Sequence, residues 1–124
     1  MSGQALQAEL TSLAQEAKRK NPEIRTAAEK SLQDLKSLPS TSEQQLAADL
    51  SRRPTFVDPF LLACNTQNAK YAGSATVCLQ RLVITRGLPK SRLKDVLNAF
   101  NACTSLGLEI QLKVLQALPA LAQN

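Results

Sequence analysis

The chain has 124 residues and a formal net charge of +5, and it contains no histidine. This composition excludes Ser-His-Asp and Cys-His catalysis, histidine-ligated metal sites and a histidine pH switch. The length is that of one domain, with a core large enough to fold without disulfide or metal staples.

The three cysteines are odd in number and widely spaced, which predicts free thiols in a reducing, cytosolic compartment. Cys64, Cys78 and Cys103 stand beside leucines at helical spacing, so we expect buried, inert thiols. No segment approaches the roughly 20 apolar residues of a membrane span, and the N-terminus lacks the pattern of a secretion signal. The carboxylates lie in amphipathic, Lys/Arg-rich surroundings and are interpreted as surface. We therefore predict no enzyme, cofactor or metal site.

The first third of the chain predicts two helices of similar length. An apolar stripe that ends at the basic run 18–20 defines the first helix; it consists of Leu6, Leu10, Leu13, Ala14 and Ala17. Asn21 is expected to cap the second helix, with Pro22 in its first position, and this helix should stop near Leu38, ahead of Pro39. Its inward residues are predicted to be Ile24, Ala27, Ala28, Leu32 and Leu35.

Ser42 and Gln45 form a capping-box pattern for a short third helix, which should end around residues 52–54. Thr55 or Asp58 can then cap a fourth helix. Its apolar residues are Phe56, Val57, Phe60, Leu61 and Cys64. The polar turn 65–68 leads to a fifth helix of roughly Ala69 to Arg86, and the two apolar helices on either side of that turn predict a helical hairpin.

Gly87 is expected to be a left-handed C-cap, and Leu88-Pro89 to open the sixth helix. The inward residues of the sixth helix are predicted to be Leu93, Val96, Leu97, Phe100 and Cys103. Gly107 separates it from a seventh helix, which Pro119 should kink or end. The apolar stripe of the seventh helix is Leu108, Leu112, Leu115 and Leu118. Nowhere does an alternating pattern indicate a strand.

Seven helices with short connections can form a bundle or a solenoid. A Leu-Gln-x-Leu echo begins at Leu32, Leu79 and Leu115, with offsets of 47 and 36 residues that bracket the HEAT and armadillo period of roughly 40. The bundle stays an alternative, because such an echo arises easily in a Leu- and Gln-rich chain. We predict an all-α, armadillo- or HEAT-like right-handed helical repeat. Because no polar capping repeat follows the last apolar helix, the chain is expected to be the first part of a longer solenoid.

Several segments in a fixed order resemble a known family. PFLLAC at 59–64 and CLQRL at 78–82 are similar to the N-terminal dimerisation and cyclophilin-binding (DCB) domain of the large Arf guanine-nucleotide exchange factors and of their non-catalytic relative, the monensin-sensitivity scaffold. KRKNPEIR at 18–25, continuing to AAE at 27–29, resembles the scaffold branch, and SLGLEIQLK at 105–113 resembles its fungal versions.

The resemblance implies an armadillo-like domain at the start of a very large cytosolic protein, peripheral to the trans-Golgi network and endosomes. Proteins of this family act as scaffolds in vesicle traffic, with an Arf or Arf-like GTPase, a Dopey-type protein and a phospholipid flippase as partners. The domain's family name also implies self-association. The catalytic glutamate of the exchange factors lies in a separate domain, so no exchange activity is implied for this chain.

Basic residues are concentrated in the second part of the chain. Residues 1–50 carry seven acids and six bases, whereas residues 51–124 carry three acids and nine bases. The densest group is Arg81, Arg86, Lys90, Arg92 and Lys94. If the corner between helices five and six brings them together, they would attract an anionic membrane surface, a phosphoinositide headgroup or an acidic protein partner. The alternative is that they only solvate outward helix faces.

A basic helical-repeat module that binds nucleic acid is the rival interpretation, since the pI is near 9.4. Such modules stack bases on exposed aromatic side chains. The three phenylalanines lie on apolar stripes and are predicted core residues, which leaves Tyr71 as the candidate for stacking.

Overall fold

The computed structural model describes residues 3–17, 20–39, 42–66, 68–104 and 107–123, with the side chains of all but 108–110, 122 and 123. These residues form seven α-helices: α1 Gly3–Ala17, α2 Pro22–Ser37, α3 Glu43–Leu50, α4 Asp58–Cys64, α5 Ala69–Ile84, α6 Leu93–Cys103 and α7 Leu108–Gln123. Two 3₁₀ turns, Pro54–Val57 and Lys90–Arg92, precede α4 and α6. No strand occurs in the described ranges, so the all-α prediction is confirmed.

The helices stack as three hairpins in two layers. Helices α1 and α2, α4 and α5, and α6 and α7 pack in pairs. In one layer α4 contacts both α2 and α6, and in the other α5 contacts both α1 and α7. This is the arrangement of a helical-repeat array rather than of a closed bundle. The α4–α5 hairpin, which the sequence predicts most clearly, is therefore the central unit.

The composition of α5 suits its central position. Helices α1, α4, α6 and α7 all contact α5, so it is buried on most of its circumference. Small side chains let several neighbours approach at once, and Ala72, Ala75 and Cys78 are each fully buried. Leu79 and Leu82 fill the space that remains. No described helix is long and apolar enough to cross a bilayer.

Two side-chain caps form, one at Ser42, which the sequence predicts, and one at Asn68, which was not predicted. The Ser42 hydroxyl accepts the Gln45 N–H at 3.1 Å, and the Asn68 carboxamide, at the start of α5, accepts the Lys70 N–H at 3.0 Å. Gln45 does not reach back to complete a capping box, because its side chain donates to Asp49 instead. Asn21 holds the N-cap position of α2 but makes no side-chain cap hydrogen bond, so that prediction is wrong.

The entry to α4 differs from the prediction, since neither Thr55 nor Asp58 caps it. The chain runs from the 3₁₀ turn directly into α4, and Val57 holds the N-cap position. The turn is anchored instead by Ser31 on α2, whose buried hydroxyl donates to the Phe56 carbonyl at 2.9 Å. The entry to α4 is therefore fixed by a tertiary hydrogen bond to a carbonyl and not by a local cap on its N–H groups.

The end of α5 was predicted too late, because the helix stops at Ile84 and the left-handed residue is Arg86, with φ of 63°, not Gly87. The Arg86 N–H donates to the Val83 carbonyl and the Gly87 N–H to the Leu82 carbonyl, which is a Schellman motif one residue earlier than expected. Gly87 has another role. A Cβ there would lie 3.2 Å from Leu82 Cδ2 and 3.4 Å from the Ala47 Cα, so the glycine permits α3 to approach.

The last hairpin departs most from the predicted pattern. Leu88-Pro89 does not open α6, which begins at Leu93 after the 3₁₀ turn, and α7 continues through Pro119 to Gln123. The predicted inward leucines Leu97, Leu112 and Leu115 are 40%, 50% and 60% exposed. Helix α7 packs on α5 through a different stripe, in which Val114 and Ala117 are buried. The predicted stripe residue Leu118 is partly buried against the core, and Leu108 lies outside the described side chains.

The three cysteines are free and buried, as predicted. Burial, together with the charge of Glu9, raises the pKa of the Cys78 thiol. A hydrogen bond with Cys103 and burial raise the pKa of the Cys64 thiol. Raised pKa values keep the Cys64 and Cys78 thiols protonated, so these two behave as small apolar core residues. The hydrogen bond with Cys64 lowers the pKa of the Cys103 thiol.

Candidate interaction site

Four of the five predicted site residues lie exposed along one connection. Arg81 is in the last turn of α5, Arg86 follows that helix, Lys90 is in the second 3₁₀ turn, and Lys94 is in the first turn of α6. None of these four, which we call the basic corner, forms an ion pair with a described residue. Their charges are therefore available to a partner.

Arg92, the fifth predicted residue, is tied into the fold. Its Nη1 donates to Asp58 Oδ1 and to the Pro54 carbonyl, both at 2.7 Å, and its Nε donates to Asp95 Oδ2 at 2.8 Å. The side chain is only 20% exposed. Burial lowers the pKa of the guanidinium, but the hydrogen bonds and charges of Asp58 and Asp95 outweigh it, and the net direction is upward. Arg92 therefore holds α6 against the start of α4.

This arrangement also determines what Asp95 does. Asp95 is the one acid close in sequence to the basic residues, and its carboxylate is engaged by Arg92. It therefore gives no ion pair to Lys90 or Lys94. Because Arg92 engages Asp95, this carboxylate does not compensate the four positive charges of the basic corner.

Exposed apolar side chains lie next to the basic corner. Ile84, three residues after Arg81 on the same helix, is 50% exposed. Leu97, three residues after Lys94, is 40% exposed. Residues three apart share a helix face, so each helix carries a basic and an apolar side chain side by side. Cationic side chains beside apolar ones suit the interface of an anionic membrane or an acidic, partly apolar protein surface.

A second exposed surface lies on the last hairpin. Leu112 and Leu115, three residues apart on α7, are exposed on the same side of that helix, and we call these two side chains the open face. These two leucines and Leu97 repeat at helical spacing, which predicts core positions for all three, and that prediction is wrong. The local sequence does not distinguish a leucine that packs on a neighbouring helix from one that faces solvent. Only the structure therefore identifies the open face.

The aromatic side chains do not support nucleic-acid binding. Tyr71 is 7% exposed, and its hydroxyl donates to the Glu16 carbonyl at 2.9 Å. Phe56, Phe60 and Phe100 are at most 1% exposed. Since the chain has no other aromatic residue, none is available for stacking on a base.

Comparison with known proteins gives a consistent family assignment. Residues 2–124 match the family described as "DCB: Mon2/Sec7/BIG1-like, dimerisation and cyclophilin-binding domain". Over 92% of its length the chain is 47% identical to Protein MON2 of Saccharomyces cerevisiae. It is 28% identical to the MON2 homologues of Schizosaccharomyces pombe, over 97% of the chain, and of Homo sapiens, over 91%.

The chain spans only 7% of the length of the two yeast relatives and 6% of the human one. No solved structure matches it. The family model nevertheless covers almost the whole chain, and it agrees with the resemblance carried by the segments at 18–29, 59–82 and 105–113. The chain therefore belongs to the Mon2/Sec7/BIG1-like DCB domain family.

Proposed function

We propose that the chain is a non-enzymatic scaffold and interaction domain of a vesicle-trafficking regulator related to the large Arf exchange factors. It acts at the cytosolic surface of trans-Golgi and endosomal membranes. The family resemblance supports an Arf or Arf-like GTPase, a Dopey-type protein and a phospholipid flippase as partners of the whole protein. The family description, a dimerisation and cyclophilin-binding domain, supports protein interactions and self-association as its mode of action.

One observation carries the proposal of a membrane contact. Arg81, Arg86, Lys90 and Lys94 are all exposed, and none forms an ion pair with a described residue. Near an anionic leaflet each such residue contributes about 1 kcal/mol of attraction, which decays within a Debye length of about 8 Å at physiological salt. Four charges beside the exposed Ile84 are sufficient for reversible surface binding.

Liposome co-sedimentation tests this contact. Wild type is compared with a triple variant, Arg86→Glu, Lys90→Glu and Lys94→Glu, on vesicles with and without phosphatidylserine or phosphatidylinositol 4-phosphate. Arg92 is left intact because its loss would destabilise the fold. The matched control is Lys20→Glu, Lys30→Glu and Lys36→Glu, which makes the same change in net charge at exposed lysines before and on α2.

We expect the corner variant to lose binding to anionic vesicles and the control variant to retain most of it. High salt should abolish the binding of the wild type and of the control variant. Equal loss in the two variants would show attraction by net charge alone and contradict a localised site. Absence of vesicle binding by the wild type would contradict the membrane contact and leave protein partners. A parallel titration with single-stranded RNA is expected to show no submicromolar binding; such binding would contradict the trafficking role.

We also propose that the chain is the first part of a longer helical array. The supporting observations are the open face on the last hairpin and the small share of the yeast relatives that the chain spans. A further hairpin packed on α6 and α7 would bury Leu112 and Leu115. Leu115→Ala is then expected to cost stability in a longer natural chain and almost none in this one; no cost in the longer chain would contradict the proposal.

A further inference from the structure

A cleft lies between the α1–α2 and α4–α5 turns, on the edge of the stack opposite the basic corner. Its volume is about 260 Å³, and it is lined by Asn21, Glu23, Ile24, Leu62, Asn65 and Thr66. The first three residues belong to the α1–α2 turn and the start of α2, and the others to the end of α4 and its following turn. The cleft precedes α5 and the basic corner follows it, so a helix of 16 residues, about 24 Å long, separates them.

Two carboxamides in the cleft are not needed by the fold. Asn21 does not cap α2, and neither its side chain nor that of Asn65 makes a hydrogen bond with a described residue. Their backbone groups are already satisfied, since the Asn21 N–H donates to the Ala17 carbonyl and the Asn65 N–H to the Leu61 carbonyl. Each carboxamide therefore offers one acceptor oxygen and two donor hydrogens to a ligand.

The rest of the lining is divided between an apolar floor and an acidic rim. Ile24 is 2% exposed and Leu62 is half-buried, so the floor is apolar. Glu23 is exposed and forms no ion pair with any described residue. A carboxylate at the rim disfavours phosphate and other anions and attracts a cation.

These features together match the chemistry of an extended peptide. A carboxamide can pair at once with the N–H and the C=O of an extended backbone, and asparagines on both sides of the cleft can hold one backbone segment. The volume suits one side chain and its backbone better than a drug-sized ligand, which fills about 300–1,000 Å³. We propose that the cleft binds a short extended peptide segment of a partner protein, with an apolar residue on the floor and an adjacent Lys or Arg facing Glu23.

This proposal does not depend on the membrane contact, because the two sites lie at opposite ends of α5. It also explains the polar character of the α1–α2 and α4–α5 turns. Asparagine is strongly preferred at the N-cap of a helix, yet the Asn21 side chain makes no cap hydrogen bond and lines the cleft instead. A polar side chain without a hydrogen-bond partner in the fold is available to hydrogen-bond a ligand.

A random seven-residue peptide library displayed on phage and panned against the purified chain tests the cleft. We expect selected peptides to share an apolar residue next to Lys or Arg. Fluorescence anisotropy should show affinity about tenfold lower for Asn65→Ala and for Asn21→Ala, the loss expected for hydrogen bonds. Glu23→Gln should weaken binding up to about fivefold, as for an exposed ion pair, and remove the preference for a basic residue.

The matched control is Asn98→Ala, an identical change at an exposed position of α6 outside the cleft, which should leave affinity unchanged. In NMR titrations with a selected peptide, the amide shifts of Asn65 and Thr66 should move most. The proposal is overturned if panning yields no saturable peptide, if the cleft variants bind as tightly as wild type, or if the shifts map to another surface. Thermal unfolding of each variant shows whether a loss of affinity reflects loss of structure.

Discussion

The two ends of the stack differ in what they present to solvent. On the first hairpin every large apolar side chain is buried or half-buried, and α1 presents Gln4, Gln7, Thr11 and Gln15 outward. On the last hairpin Leu97, Leu112 and Leu115 are 40–60% exposed. The first end therefore presents a polar face to solvent, whereas the last end presents apolar side chains.

This difference shows that amphipathicity in a helical array is defined by neighbours rather than by a single helix. Helix α1 has one apolar stripe and one polar face, so its pattern alone indicates which side is buried. Helix α7 is apolar on two faces, and only packing against α5 selects Val114 and Ala117 over Leu112 and Leu115.

The largest expected effect comes from one identical substitution at each end. Leu10 on α1 is fully buried, whereas Leu115 on α7 is 60% exposed. Leu10→Ala should lower the free energy of unfolding by about 2–5 kcal/mol, through lost apolar burial and the cavity left behind. Leu115→Ala should change it by less than about 0.5 kcal/mol. Urea unfolding measures both; a similar cost at Leu115 would mean that the open face is covered in solution.

The second comparison uses one arginine from each end. Arg92→Ala removes three hydrogen bonds, two of them to carboxylates, from a side chain that is 20% exposed. We expect a loss of about 1–3 kcal/mol, because hydrogen bonds to charged groups contribute more than neutral ones. Arg25 pairs with Glu29 across one turn of α2, and both side chains are 54% exposed. Arg25→Ala should cost at most about 0.5 kcal/mol.

Thermal unfolding at two salt concentrations separates these arginines. The small contribution of Arg25 should diminish with salt, whereas most of the Arg92 contribution should persist because its partners are partly buried. If Arg92→Ala is as mild as Arg25→Ala, the contact of Arg92 with Pro54 and Asp58 does not hold the last hairpin in place.

The third comparison contrasts two asparagines at helix starts. Asn68→Ala on the central hairpin removes a formed cap and should cost about 1 kcal/mol. Asn21→Ala on the first hairpin removes a side chain that caps nothing, so its effect should stay within about 0.5 kcal/mol. Chemical denaturation of the two variants beside wild type measures the difference. Equal costs would show that Asn21 caps α2 in solution and would weaken the case for a free carboxamide in the cleft.

The smallest effect on stability is expected where the two end faces are exchanged. Leu112→Gln with Leu115→Gln makes the last end polar, and Gln7→Leu with Thr11→Leu makes the first end apolar. Each pair should change the free energy of unfolding by less than about 1 kcal/mol, since all four side chains are exposed. Sedimentation velocity should show less self-association for the first pair and more for the second. Unchanged association in the glutamine pair would exclude the open face as a contact between copies.

The two ends of the stack also differ in how well their buried residues are predicted from the sequence. The stripes of α1 and α2 were confirmed, because Leu6, Leu10 and Ile24 lie on helices with one apolar face. Arg92 and Arg86 look alike in the sequence, yet one is enclosed by Asp58, Pro54 and Asp95 and the other is exposed. No local pattern separates them, because the partners of Arg92 lie up to 38 residues away.

The cleft was not predicted for a similar reason. Asn21 was interpreted as a cap, which is the commonest use of asparagine before a helix. Only the stacking of the first two hairpins brings its turn next to Asn65 and Thr66. The polar residues 65–68 predict a turn between two helices, but they do not predict a binding site.

The sequence by itself determined the helices, the absence of histidine chemistry and the family, because these depend on residue types and on spacings of a few positions. Only the tertiary structure decided which hairpin is central, which end is open, which arginine is enclosed and which asparagine is free. Those properties depend on contacts between residues far apart in the chain, and the free energy of such contacts is realised only when the hairpins stack.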